Sequence, residues 1–185
     1  VTDDASKHSE TILVAGGGCI TGDIIQQATD MGVTIPLGSR PSVGAGLWLQ
    51  GGIGHLTRLH GLASDAILGA VMVSPATGDI LYVGTVPAEH RPTGSSRPEN
   101  EDEILWALRG AGNQVAIVLS VVFRTVPAYT FAVANWNLPL LDRTKPGAPG
   151  VTLQHFSDHL AAKLSKSASS DAYIHWCPKT RQICL

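Results

Sequence analysis

PSVGAGLWLQGGIGHLTRLHGLASD, running from Pro41 to Asp65, is the stretch on which the reading of this chain turns. Five glycines (Gly44, Gly46, Gly51, Gly52 and Gly54) fall within eleven residues, interleaved with Val43, Leu47, Trp48, Leu49 and Ile53. Glycine at that density costs backbone entropy, so a packed chain keeps it where φ is positive or where a backbone must be approached closely. A flexible linker would be polar and serine-rich, whereas this segment is apolar between its glycines. Two readings stand side by side. One is a buried, tightly turning segment whose main-chain N–H groups reach a flat or anionic ligand. The other is a set of tight turns in an ordinary core. On the first reading, a side chain placed at Gly46 or Gly52 is expected to clash or to strain the backbone.

Composition narrows the function classes. The 185 residues are 44% hydrophobic and 15% charged with a formal net charge of −2. That describes a globular chain of one large domain or one and a half small ones, and excludes bulk disorder. With no basic run, nucleic acid and anionic membrane surfaces are not expected partners. Val115 to Phe123, among the longest apolar stretches, is too short to span a bilayer. The opening VTDDASKHSE has neither a basic n-region nor an apolar h-region, so no secretory signal is expected. Cys19, Cys177 and Cys184 are too few and too scattered for a disulfide framework; Cys177 and Cys184 are near enough in sequence to pair across the last turn, but free buried or tail thiols are the expectation. Of the seven histidines, only His155 and His159 share i,i+4 spacing. No HExxH acid lies between them, so the pair reads as helix surface and no metal is expected.

Upstream of the glycine-rich stretch, Glu10 to Ala15 is a short β run. Gly16-Gly17-Gly18 follows, then a helical pattern from Ile20 to Met31 with Thr21 or Asp23 as its cap. Gly32 suits the C′ position. This opening invites a Rossmann reading, which fails on spacing. GxGxxG needs a sixth-position glycine, and counting from Gly16, Gly44 or Gly52 that position holds Thr21, Leu49 or Thr57. Downstream, Ile67 to Ser74 and Ile80 to Val83 flank the turn Ala76-Thr77-Gly78-Asp79 as a hairpin. Pro87 to Asn100 is a polar loop. Glu101 to Leu108 is an acidic-led helix with Ile104, Leu105 and Ala107 inward and the Trp106 ring packed beside them. Val115 to Thr125 is a strand buried on both faces. Beyond Pro127 the expected order is a strand over Phe131 to Leu141, a Pro/Gly linker over Asp142 to Gly150, an amphipathic helix over Leu153 to Leu164, and a strand from Ala172 to Trp176.

Two stretches carry a family resemblance. The first is Pro41-Ser42-Val43-Gly44-x-Gly46, continued by GGIGHLTR from Gly51 and HGLASD from His60. The second is LWALRGAG from Leu105, with Ile117-Val118 beyond it. Together they resemble the FAD-binding domain of the vanillyl-alcohol oxidase/p-cresol methylhydroxylase superfamily, and within it the fungal berberine bridge enzyme-like oxidases. The resemblance implies an α+β fold: the second lobe of a p-cresol methylhydroxylase-type FAD-binding domain over residues 1–128, and the start of a mixed-sheet substrate domain over 129–185. It implies FAD as cofactor, a small organic substrate, and hydride transfer to the flavin. It also implies flavin contacts from Ser42, Val43, Gly44, Gly46, Gly51, Gly52, Gly54 and His55, and from Ile117 and Val118 on the second element.

Three departures from the family pattern shape the expectation. Ala116 stands where relatives carry glycine, adding a methyl beside an amide that should reach the cofactor. Arg40 occupies the place of the cysteine that forms a thioether in bicovalent members, so that linkage is not expected. The Arg-x-Gly-Gly-His-type loop is not found, and His8 in its polar leader is not given that role. No catalytic residue is assigned; Asp171, Tyr173 and His175 read as strand residues. The expectation is a truncated FAD-linked oxidoreductase that holds FAD loosely and non-covalently and self-associates through exposed apolar surface. The alternative is a catalytically inactive homologue with at most weak flavin binding.

Overall fold

A computed structural model describes residues 11–138, 153–179 and 181–185. The chain divides into two units, Val1–Tyr129 and Thr130–Leu185.

The sheet of the first unit draws on the most apolar runs of the chain. β1 (Ile12–Gly16) leads through the three glycines into α1 (Thr21–Asp30), and β2 (Val33–Thr34) follows. The glycine-rich stretch contains two single helical turns, α2 (Ala45–Trp48) and α3 (Thr57–His60). Then come the hairpin of β3 (Ile67–Val73) and β4 (Ile80–Gly84), the long α4 (Glu101–Val115), β5 (Ile117–Arg124) and β6 (Val126–Pro127). Four strands form one antiparallel sheet in the order β1-β5-β3-β4, and β2 pairs with β6 in a small ribbon. The chain therefore leaves β1, builds the glycine-rich segment and the hairpin, and returns through β5 to pair with β1.

Both faces of the central strands are covered. On one, Trp48 meets Phe123 edge-on with ring centroids 5.3 Å apart, among Ile67, Met72 and Leu108. On the other, Val71, Val86 and Val122 form a smaller cluster. β5 is nevertheless not buried along its whole length. Its pairing with β3 shifts where Val71 faces Ser120 and Met72 faces Val118, so Leu119 is an extra residue. Such a bulge bends the strand and ends regular packing. Beyond it Val118 still packs against the main core, but Ile117 is 63% exposed.

Two expectations about helices are also corrected. α1 has no side-chain cap: Ile20 is at the N-cap, and the N–H groups of Thr21 and Gly22 donate to the carbonyls of Val43 (2.8 Å) and Pro41 (2.9 Å). The crossing main chain supplies the acceptors that a capping side chain would otherwise provide. Trp106 is 80% exposed instead of packed inward. It lies two positions from both Ile104 and Leu108, on the opposite face of the helix.

The polar loop before α4 is tied down by charge. Ser96 adds a short parallel bridge to β4, accepting from Tyr82 N–H at 3.0 Å and donating to Ile80 at 3.1 Å. Gly84, at φ +64°, donates its N–H to Glu101 Oε2 at 3.2 Å, and its carbonyl accepts from Arg97 at 3.1 Å. Arg97 and Glu101 form an ion pair. The Tyr82 ring lies 4.8 Å from the Arg91 guanidinium and 5.0 Å from that of Arg97, within range of cation–π attraction.

In the second unit, β7 (His175–Cys177) and β8 (Gln182–Cys184) form an antiparallel hairpin. Leu138 and Leu185 exchange backbone hydrogen bonds of 3.0 and 2.8 Å. Residues 131–138 form no strand, contrary to expectation. A strand exists by pairing, and the exchange between Leu138 and Leu185 lies at the very end of that stretch. The helical stretch is irregular: α-helical at 153–155, a π turn over Phe156–Leu160, then a 3₁₀ turn over Ala161–Lys163. Its residues are exposed on nearly every side, so it is not the amphipathic element expected. The expected linker from Asp142 to Gly150, and His8, lie outside the described residues.

Two outcomes are expected from this arrangement. The Arg97 hydrogen bond holds the Glu101 carboxyl below its ordinary range. A depressed folded value means that the contribution is present above the unfolded carboxylate range and fades as pH falls through the folded value. Glu101→Gln should therefore speed amide exchange of Gly84 at neutral pH, and the gap to the parent, after correction for intrinsic rates, should close in acid. Separately, the described residues after Thr130 include only Cys177 and Cys184 as buried apolar side chains. Hydrogen exchange across β7 and β8 should thus be much faster than across β3 and β5, because two short strands are marginal alone.

Candidate cofactor-binding site

The glycine-rich segment is first a folding device. Gly52 has φ +77°, and a Cβ there would lie 2.5 Å from Ala63 Cβ and 3.2 Å from Trp48 Cα. The carbonyls of Gly51 and Gly52 accept from Ser64 (2.9 Å) and Ala63 (3.1 Å), folding the segment back on itself. At Gly54 a Cβ would run into the Leu37 carbonyl. These three positions are accounted for by turns and close backbone approach.

Gly44 and Gly46 differ from them. A Cβ on Gly44 would lie 2.9 Å from the Cys19 carbonyl, which brings the first turn of the segment against the loop after β1. Gly46 is exposed, and the nearest atom to a Cβ there is Asn113 Nδ2 at 4.0 Å. Its φ is not positive, so the expected backbone strain at Gly46 is not found.

The second matching stretch is bolted to the first by a break in α4. Arg109, Gly110 (φ 146°) and Ala111 leave helical geometry, and the chain turns at Gly110. This aims the Gly112 N–H at the Leu49 carbonyl (3.1 Å) and the Asn113 amide at the Gly46 carbonyl (3.2 Å). Gly112 is packed to contact, since a Cβ would lie 3.0 Å from Leu49 Cβ. Arg109 meanwhile donates twice to the Ile67 carbonyl, at 3.0 and 2.7 Å, anchoring the break to β3.

A continuous run of backbone results. Gly17 N–H donates to Leu119 at 2.7 Å, which sets the β1 loop against the start of β5 where Ile117 and Val118 lie. Cys19 joins that loop to Gly44, and Gly46 joins Asn113. Ser42, Gly46 and Ile117 are exposed, Val43, Gly44 and Val118 half-buried. Gly52 is buried, and the exposed His55 sits past the turn at Gly54. Gly17, Gly112 and Asn113 are the members that residue-by-residue reading did not single out. Their signals were present in the glycine triplet after β1 and in the Gly-x-Gly-Asn end of α4.

Beside this run, α1 and residues Gly38, Ser39 and Pro41 line a groove of about 240 Å³. The Thr21 hydroxyl there is buried without a hydrogen-bond partner. Arg40, between Ser39 and Pro41, is exposed. Among the described residues no group of three or more His, Cys, Asp or Glu side chains could hold a metal ion, and no helix is long and apolar enough to cross a membrane.

The antiparallel sheet with its helices and glycine-rich backbone run is an α+β fold, and comparison with known proteins gives it homologues. The chain is 43% identical over 107 residues to (R)-6-hydroxynicotine oxidase of Paenarthrobacter nicotinovorans, covering 57% of this chain and 20% of that protein. It is 33% identical over 171 residues to the FAD-linked oxidoreductase azaL of Aspergillus niger, covering 92% of this chain and 33% of the relative. Among solved structures it superposes on 6-hydroxy-D-nicotine oxidase from Arthrobacter nicotinovorans with a TM-score of 0.52 at 39% identity, over 64% of this chain and 23% of that one. Xylooligosaccharide oxidase from Myceliophthora thermophila gives a TM-score of 0.52 at 34% identity, over 63% of this chain and 22% of that one. No family model matches. The chain is a homologue of FAD-linked oxidoreductases and berberine bridge enzyme-like oxidases. It spans between a fifth and a third of the length of these relatives.

The two kinds of glycine separate experimentally. Gly52→Val should lose about 1–3 kcal/mol from the positive φ alone, and more from the overlap with Ala63. Gly46→Val should stay within about 0.5 kcal/mol of the parent in denaturant melts, as an exposed position in open space does.

Proposed function

We propose that residues 1–128 form one wall of the FAD site of an oxidoreductase acting on a small organic substrate, and that residues 129–185 begin its substrate domain. The observation that carries this reading is the joining of Gly44–Gly46 to Asn113 and of Gly17 to the start of β5, which leaves an edge of exposed backbone. The edge fits a flat cofactor. In front of Gly18 no atom would meet a Cβ within 4 Å, and Gly46 is nearly as open, so any side chain there would fill space that a ring could use. FAD, when bound, supplies the hydride acceptor.

In this reading the chain's own residues bind and orient. Gly44 and Gly46 offer main chain at close range, and Ile117 offers apolar surface beside it. Arg40 is available to an anionic or carbonyl group of the cofactor. Asn113 keeps the Gly46 peptide in place. Ala116, half-buried at the C-cap of α4, packs against the main core. Of the proposed contact residues His55 is the one imidazole, and the others offer backbone, a hydroxyl or apolar surface, so this wall is read as a binding surface. The homologues' names point to small substrates, hydroxynicotine in one case and xylooligosaccharide in another.

Reconstituting the purified chain with FAD tests the proposal. FAD should bind weakly and non-covalently, with flavin fluorescence in the supernatant after acid precipitation, because Arg40 cannot form a thioether. Gly46→Val should weaken FAD binding while melting like the parent. Equal binding by parent and Gly46→Val would remove this edge from the site, and fluorescence retained in the acid pellet would overturn the non-covalent mode.

A further inference from the structure

We propose that His155 and His159 form a two-imidazole site for a late first-row divalent cation, copper(II) above the others. The site lies in the second unit. Both side chains are exposed, and their ring centroids are 4.9 Å apart with planes at 78°. Two imidazoles bound to one ion at about 2.0–2.1 Å, with an angle between roughly 90° and 110°, place their ring centres about 4.5–5.2 Å apart. The observed centroid separation of 4.9 Å therefore falls within the chelating range before any ion arrives.

The backbone holds that separation. The chain is α-helical at 153–155 and enters the π turn Phe156–Leu160 directly after His155. The turn is closed by the Ala161 N–H, directed to the carbonyls of Phe156 and Ser157. A π turn is rare and is retained most often where it re-aims side chains at a functional position. Here it spans the interval between the two rings. Asp158 accepts from Gln154 at 2.7 Å, so the carboxylate is held by its own i,i+4 partner and adds negative potential next to the pair. Lys163, one turn beyond His159, is the opposing charge on the same stretch.

Chemistry selects the class of ion. Neutral imidazole suits copper, nickel and zinc, and at equal geometry copper(II) binds most tightly. Magnesium and calcium prefer oxygen donors and are poor fits. Because no third protein ligand joins the pair among the described residues, the remaining coordination positions are open to water or an added donor.

The test is a copper(II) titration of the full chain at about pH 7.5, where imidazole is largely neutral. It is read by electron paramagnetic resonance, and in parallel by carbethoxylation of histidines mapped by mass spectrometry. The expected result is a first equivalent whose spectrum shows two coupled nitrogens, with His155 and His159 both protected from modification by the metal. His155→Ala and His159→Ala should each remove that signal, while His175→Ala keeps it. Unchanged first-equivalent binding in the double variant would overturn the proposal. So would a parent spectrum without two imidazole nitrogens, or metal that leaves both histidines as reactive as before. The protection arm uses the unaltered protein, so a variant that folds poorly does not affect it.

Discussion

The hydrogen bond from Gly112 N–H to the Leu49 carbonyl, 3.1 Å long, is the constraint on which the first unit depends. It forms only because α4 breaks at Gly110, where φ is 146°. Such a conformation is open to glycine and closed to residues with a Cβ. Had the helix continued, Gly112 and Asn113 would point along its axis and the glycine-rich segment would lose its clamp. With the break in place, Trp48 is enclosed, its ring meets Phe123 on β5, and the outer strands close around that contact. One backbone turn thus couples the helix layer, the core and the exposed backbone edge at Gly46.

That coupling joins the two stretches on which the family resemblance was read. Each alone is unremarkable: a run of glycines, and a helix ending in Gly-Ala-Gly-Asn. Packed together, each supplies what the other lacks. The glycine run offers carbonyls and close approach, and the helix end offers donors. The same logic divides the glycines. Gly51, Gly52 and Gly54 are consumed by the fold, while Gly46 presents open backbone. The homologues carry FAD-linked names.

The second unit rests on different physics. Its described strands are three residues long, and its helical stretch passes through three helix types within eleven residues. Little apolar surface is enclosed there, since Cys177 and Cys184 are its buried residues among those described. Structural matches cover about two thirds of the chain. The histidine pair stands out in this setting because it depends on local backbone geometry and not on a core.

What the sequence determined by itself follows from periodicity and from local chemistry. The β3–β4 hairpin was legible because Thr77-Gly78-Asp79 interrupts two apolar runs, and α1 because Ile24 and Ala28 repeat at helical spacing. The glycine-rich stretch was legible as a place of close approach, and the α+β class followed from the family resemblance that this stretch and the LWALRGAG stretch carry. Only the tertiary structure decided which glycines are buried and which are open, since that depends on what packs against each one from distant parts of the chain. It also decided that Val43 and Pro41 carbonyls cap α1, that a bulge at Leu119 frees Ile117, and that Trp106 faces outward. The physical reason is common to all of these. A local pattern states what a residue prefers, but hydrogen-bond acceptors, overlaps and exposed faces are properties of pairs, and the decisive pairs here lie tens of residues apart.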